Sequence, residues 1–151
     1  MKWYANGLRF SCTQCGHCCT GGADGFVFVG PNECKEIADF LGIAYDRFVA
    51  EYTEPWLDGK TRTTLKLVRP TSASGPAAET GASRQCVFLD GRKCKIYPVA
   101  PPQCKSWPFW PLNVDERESW TRTRTRCPGA GTGRLFSASE VTNFTEAAFL
   151  V

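Results

Sequence analysis

The chain has 151 residues, of which 42% are hydrophobic and 22% charged, so it can bury a real core without metals or disulfides. Its net charge of +3 argues against a domain held to nucleic acid by charge, and no apolar run approaches the roughly eighteen residues of a membrane span. Composition leaves the nine cysteines unexplained.

In chain order, "MKWYANGLRF" lacks both the apolar core of a secretory signal and the length of a transit peptide. An intracellular protein is therefore expected, in the cytoplasm, or in a plastid or mitochondrion if the sequence is a mature form. There thiols stay reduced, and clustered cysteines mean metal or redox chemistry. The next segment, "FSCTQCGHCCTGG", carries Cys12, Cys15, Cys18 and Cys19. "VFVGPNECKEIADFLGI" then reads as a short strand ending at Pro31 and a helix. Asn32 would cap that helix, with Glu33 in its first turn, Ile37, Phe40 and Leu41 at helical spacing, and Gly42 as its end. A second short helix is expected near Asp46, and "TRTTLKLVRP" reads as a strand stopped by Pro70.

"TSASGPAAETGAS", residues 71–83, has almost no apolar bulk and reads as an exposed, flexible insertion that buries nothing. "QCVFLDGRKCKIYP" is a β-hairpin candidate turning at Asp90-Gly91, with Cys86 and Cys94 on its two strands. The proline- and aromatic-rich "VAPPQCKSWPFWPLNV" should be irregular and rigid. "SWTRTRTRC" reads as a strand presenting Arg122, Arg124 and Arg126 on one solvated face. The chain closes in a helix capped by Ser137 or Ser139, with Val141, Phe144, Ala148 and Phe149 on its apolar face. The expected fold is α+β: one small domain over residues 1–151, with short strands, a hairpin and a few helices around a cysteine-ligated metal centre.

The cysteines argue for metal over disulfides. Nine cannot all pair, and adjacent Cys18 and Cys19 would bridge each other only under severe strain. Cys12-x2-Cys15-x2-Cys18 lets a loop wrap three thiolates around one centre, in the rhythm of bacterial ferredoxins, where a cysteine before proline completes the set. Cys127-Pro128 is such a residue, far along the chain. Zinc accepts the same sulfurs, so spacing does not separate iron–sulfur from zinc. Cys86, Cys94, Cys104 and Cys127 bring the candidates to eight, enough for two four-cysteine sites or one multinuclear centre. Cys34, inside a helix, suits a buried apolar thiol. His17, the single histidine, suits a supporting rather than a ligating role.

"FSCTQCGHCC", "CVFLDGRKCKIYPVAPPQCKSWPFW" and "CPG" together resemble the YkgJ-type cysteine-cluster family, the CxxCxxCC zinc- or iron-chelating domain, from about Trp3 to Gly133. That resemblance implies Cys12, Cys15, Cys18, Cys19, Cys86, Cys94, Cys104 and Cys127 as metal ligands. Where the family carries Tyr-x-x-Arg-Pro-x-x-Cys-Arg, this chain keeps Tyr97, Pro101 and Cys104 but has Ala100 and Lys105 in place of the arginines. A flagellin lysine-N-methylase label attached to some relatives does not transfer. No glycine-rich loop for S-adenosylmethionine follows a strand, and the C-x3-C-x2-C radical-enzyme spacing is missing.

The expected function is a metal-binding, iron–sulfur protein that serves as an accessory or assembly subunit of a larger complex, or as a small redox protein. A protein partner is implied, with no specific nucleic acid. The alternatives are a structural zinc module and a metal-dependent oxidoreductase or methyltransferase-like enzyme. For the enzyme, Asp90, Asp115, Glu116 and Glu118 are available, without a pair of telling spacing.

Overall fold

The computed structural model describes residues 1–21, 26–56 and 62–148. In chain order the described elements are β1 (Leu8–Phe10), β2 (Thr20–Gly21), α1 (Pro31–Leu41), α2 (Tyr45–Tyr52), β3 (Thr53–Trp56), β4 (Arg62–Leu65) and β5 (Leu67–Val68). There follow α3 (Pro76–Thr80), β6 (Arg84–Cys86), β7 (Leu89–Asp90), β8 (Lys93–Cys94), α4 (Pro102–Lys105), α5 (Pro111–Val114), α6 (Arg117–Arg126), β9 (Arg134–Phe136) and α7 (Ala138–Ala147). Short 3-10 turns cover His17–Cys19 and Tyr97–Val99. The fold is α+β, with every strand pairing antiparallel. Among the described residues, no helix is long and apolar enough to cross a membrane.

The described residues divide into two compact units, one of residues 1–18 with 102–148 and the other drawn from residues 19–101, so a boundary falls between Cys18 and Cys19. The first unit is built on aromatic packing. Phe109, 2% exposed, stacks on Trp120 and Phe144 and lies edge-on to Phe10, with ring centroids 5.9, 5.9 and 6.0 Å away. Leu8, Val114 and Val141 fill the space around these rings, and the Trp3 indole donates to the Val114 carbonyl at 2.9 Å. Burying a phenylalanine stabilises by about 2–3 kcal/mol through lost apolar surface, so this cluster anchors the unit. β1 pairs with β9, Leu8 opposite Phe136 and Phe10 opposite Arg134. α7 begins as expected at Ser137, whose hydroxyl accepts from Glu140 N at 3.2 Å while the Glu140 carboxylate accepts from Ser137 N at 2.8 Å. Phe149, expected on its apolar face, lies outside the described residues.

α6 corrects the strand expected at "SWTRTRTRC". Alternating threonine and arginine imitates strand periodicity, but Ser119, Trp120, Thr123 and Cys127 recur at helical spacing and are the buried positions. The threonine hydroxyls ease their place in a helix by bonding back to carbonyls, Thr123 to Ser119 at 2.9 Å and Thr121 to Arg117 at 3.0 Å. Arg122 and Arg126 therefore share a helix face, and Arg124 does not. The "VAPPQCKSWPFWPLNV" segment is likewise more regular than expected. Pro102 and Pro111 start its two short helices, where a missing N–H costs nothing.

In the second unit α1 is capped by Gly30, not Asn32, because Pro31 takes the first helical position and Glu33 Oε2 accepts from Gly30 N at 2.9 Å. It ends at Gly42 in the left-handed conformation, φ 71°, as expected. Its buried face is Cys34, Ile37 and Ala38, and α2 buries Phe48, which stacks with Phe88 and Tyr52. Phe28 makes only an isolated bridge to Thr64, so the expected strand before α1 is a single extended contact. β4 and β5 lie within "RTTLKLV". Residues 71–83 differ from their expectation. They contain α3, whose Pro76 and Ala77 are buried, because small side chains fit close against the unit where bulky ones would not. The hairpin β7–β8 forms, but Asp90 pairs with Lys93, so its two-residue loop is Gly91-Arg92. A positive φ of 62° at Gly91 alone fits a type II′ turn.

Candidate metal centre

The loop after β1 is wound by two left-handed residues, Gln14 at φ 56° and Gly16 at φ 77°. Glycine adopts that region freely, whereas for glutamine it costs on the order of 1–2 kcal/mol. Its return is a backbone bond to sulfur: Gln14 N–H points at Cys12 Sγ, 3.3 Å away. The 3-10 turn His17–Cys19 then carries Cys18.

Cys127 reaches this loop by a different route. It follows the last residue of α6, and the chain beyond it runs against β1. Ser11 N donates to Gly129 O at 3.2 Å, Phe10 bridges Ala130, and Gly131 N donates to Arg9 O at 2.8 Å. Only glycine permits this approach, since a Cβ on Gly129 would stand 1.9 Å from the Ser11 carbonyl oxygen. Ser11 immediately precedes Cys12, so one backbone contact brings the Cys12 loop beside the segment that carries Cys127. Cys12, Cys15, Cys18 and Cys127 line one pocket, closed on its apolar side by Phe10 and Trp107. Cys12 and Cys18 are exposed, Cys15 is half-buried and Cys127 is buried.

Burial pushes the Cys127 thiol up. The Trp107 indole and the Ala130 and Gly129 N–H groups pull the other way by offering hydrogen bonds to its sulfur, and the neighbouring Cys15 adds to the upward push. The pocket therefore combines soft sulfur donors, N–H groups aimed at sulfur and aromatic walls. That donor set fits zinc or iron and is unsuited to hard cations. Among the described residues no three His, Cys, Asp or Glu side chains are grouped at metal-holding distance, so the fit rests on the donors and the wound loop. All nine cysteines are thiols rather than halves of disulfides.

The other expected ligands lie elsewhere. Cys104 is on α4 in the first unit and does not line this pocket. Cys19, Cys86 and Cys94 belong to the second unit. There β2 pairs with β6, Thr20 opposite Gln85, and one residue beyond that ladder the register sets Cys19 level with Cys86. Cys94 pairs with Leu89 across the hairpin. Cys34, which sequence left outside the ligand set, is buried in α1, and burial followed by the charge of Glu33 pushes its thiol up. His17 Nδ1 lies 3.1 Å from the Arg126 carbonyl oxygen. Sequence reasoning missed Gln14 and Gly129. Only Gly129 left a signal, in the "CPGAG" that follows α6.

Cysteines on a wound loop and at a helix end line one pocket of an α+β protein. The family model described as "Putative zinc- or iron-chelating domain", CxxCxxCC, matches residues 11–128, and the chain belongs to that family. Among curated proteins it is similar to the uncharacterized protein MJ0661 of Methanocaldococcus jannaschii, 30% identical over 108 residues. That match covers 70% of this chain and 48% of the relative, so the chain spans about half the relative's length. No solved structure matches the chain.

Proposed function

We propose that the protein holds an iron-containing centre, an iron–sulfur cluster, through Cys12, Cys15, Cys18 and Cys127, and that Cys19, Cys86, Cys94 and Cys104 supply further ligands within one metal-binding domain. The observation that carries this reading is the single pocket lined by four cysteines from opposite ends of the chain. Its aromatic walls limit water at the buried Cys127, and its N–H groups offset thiolate charge, both of which tune a redox centre. An iron–sulfur cluster would supply one-electron chemistry. The chain's own part is to wrap, shield and present it, as a small redox protein or as an accessory subunit of a larger complex inside the cell.

Zinc is the second reading, favoured by the tightness of the Cys12–Cys15 turn, which suits a single tetrahedral ion. Anaerobic purification followed by iron, acid-labile sulfide and zinc analysis separates the two. A brown protein with iron and sulfide is expected. A colourless one with zinc and no sulfide would leave a structural module.

A further inference from the structure

We propose that His17 is the positioning residue of this centre, its ring N–H tying the cysteine loop to the end of α6 that delivers Cys127. The inference rests on the metal–thiolate reading above. A carbonyl oxygen can only accept, so the 3.1 Å contact between His17 Nδ1 and Arg126 O requires the proton on Nδ1. Arg126 is the last residue of α6, and its carbonyl is one of the terminal four that the helix itself cannot satisfy. The usual left-handed glycine cap is absent there, because Cys127 leaves the helix extended at φ −118°, ψ 101°. Imidazole takes over the cap, at the helix end where a partly positive donor is favoured.

The position of this bond gives it a function. His17 immediately precedes Cys18, and Arg126 immediately precedes Cys127, so one hydrogen bond between residues 109 apart in sequence sets the separation of two cysteines. The Ser11–Gly129 contact does the same for Cys12 and Cys127 on the other side. The two ties bracket the pocket, and His17 is the side-chain member of the pair. Partners that orient ligands in this way typically change metal affinity by about 10- to 100-fold when removed.

The test compares native chain with His17→Ala, His17→Asn and His17→Gln, each loaded with Zn2+ or Co2+. Asparagine places its N–H where Nδ1–H stands, while glutamine mimics Nε2. Release of Zn2+ to a chromophoric chelator should be roughly tenfold faster in His17→Ala and within about threefold of native in His17→Asn. The Co2+ absorption bands, which report the ligand set, should be the same in native and His17→Asn proteins. Unchanged release from His17→Ala overturns the proposal, as does rescue by glutamine but not asparagine. Co2+ bands that shift in His17→Asn would make the imidazole a ligand and also overturn it. If the native chain takes up neither metal, the metal–thiolate reading fails and the tie is judged separately by imidazole nitrogen NMR. With one histidine in the chain the assignment is unambiguous. A slowly exchanging Nδ1 proton supports the tie, and a fast-exchanging or Nε2-protonated ring overturns it.

Discussion

Cys12 and Cys15 ride on a loop bent through two left-handed residues, whereas Cys86 and Cys94 sit in strands whose neighbours are set by ladder pairing. The strand cysteines are placed by register, with no backbone strain. The loop cysteines are placed by kinks, by one close glycine approach and by three long-range hydrogen bonds, so their geometry can be dismantled in parts. A metal bound at the pocket would hold this loop together, and its loss should loosen the loop first.

The largest difference should come from matched glycines, one in each unit. Gly129→Ala forces a Cβ to within 1.9 Å of a backbone oxygen, which no side-chain rotation relieves. A cost of about 3 kcal/mol or more is expected in denaturant unfolding, together with loss of metal from the pocket. Gly42→Ala meets nothing within 4 Å and has only its φ of 71° against it, roughly 1 kcal/mol, with metal content unchanged. Equal costs at the two sites would show that the Ser11–Gly129 approach does not hold the first unit's cysteines.

The paired cysteines Cys15 and Cys34 sharpen the same contrast. Cys15→Ser should abolish metal at the pocket, since serine is a far weaker partner for soft ions. Cys34→Ser buries a hydroxyl in the α1 face and should cost about 1–3 kcal/mol while the metal-to-protein ratio stays native. Metal stoichiometry decides. A drop in metal in Cys34→Ser with folding intact would bring Cys34 into the ligand set.

What could be read from sequence follows the same division between local and long-range causes. The end of α1 at Gly42 and the Ser137–Glu140 cap were legible because each is chemistry within four residues. The spacing of Cys12, Cys15 and Cys18 was legible for the same reason, as was Cys127 as a candidate, through the proline after it. Which cysteines share a pocket was not, because the Ser11–Gly129 contact joins segments over a hundred residues apart. The arginine run misled because threonine alternation has a strand's period, while the packing of Trp120 and Thr123 set the helix. Pro76 and Ala77 misled because small size was read as exposure, although a close approach needs small residues. The β1–β9 pairing left no local sign at all, three residues on each strand being too few for a pattern.

Gln14→Gly tests the strain on the loop alone. Glycine relieves a φ of 56° but adds freedom to the unfolded chain, so the two terms nearly cancel. A net gain of up to about 1 kcal/mol is expected, with metal retained, because the N–H that reaches Cys12 Sγ belongs to the backbone and survives. Metal loss on this substitution would mean that the glutamine side chain, not the backbone, serves the site.

The smallest effect compares the two helix starts. α1 has only half a capping box, since Gly30 lacks a hydroxyl and Glu33 alone reaches back. α7 has both halves, and the Ser137 N–H, with Arg134 beside it, holds the Glu140 carboxyl below its ordinary value of 4.5. A depressed carboxylate stabilises the folded chain above its unfolded pKa, and that contribution disappears as pH falls through the lower folded value. Glu140→Gln keeps a possible acceptor for Ser137 N–H but removes the charge. Its melting temperature should therefore fall slightly below native at neutral pH and converge on native as pH drops below 4.5. A difference that persists unchanged into acid would assign the cap's value to shape rather than charge, since glutamine does not titrate.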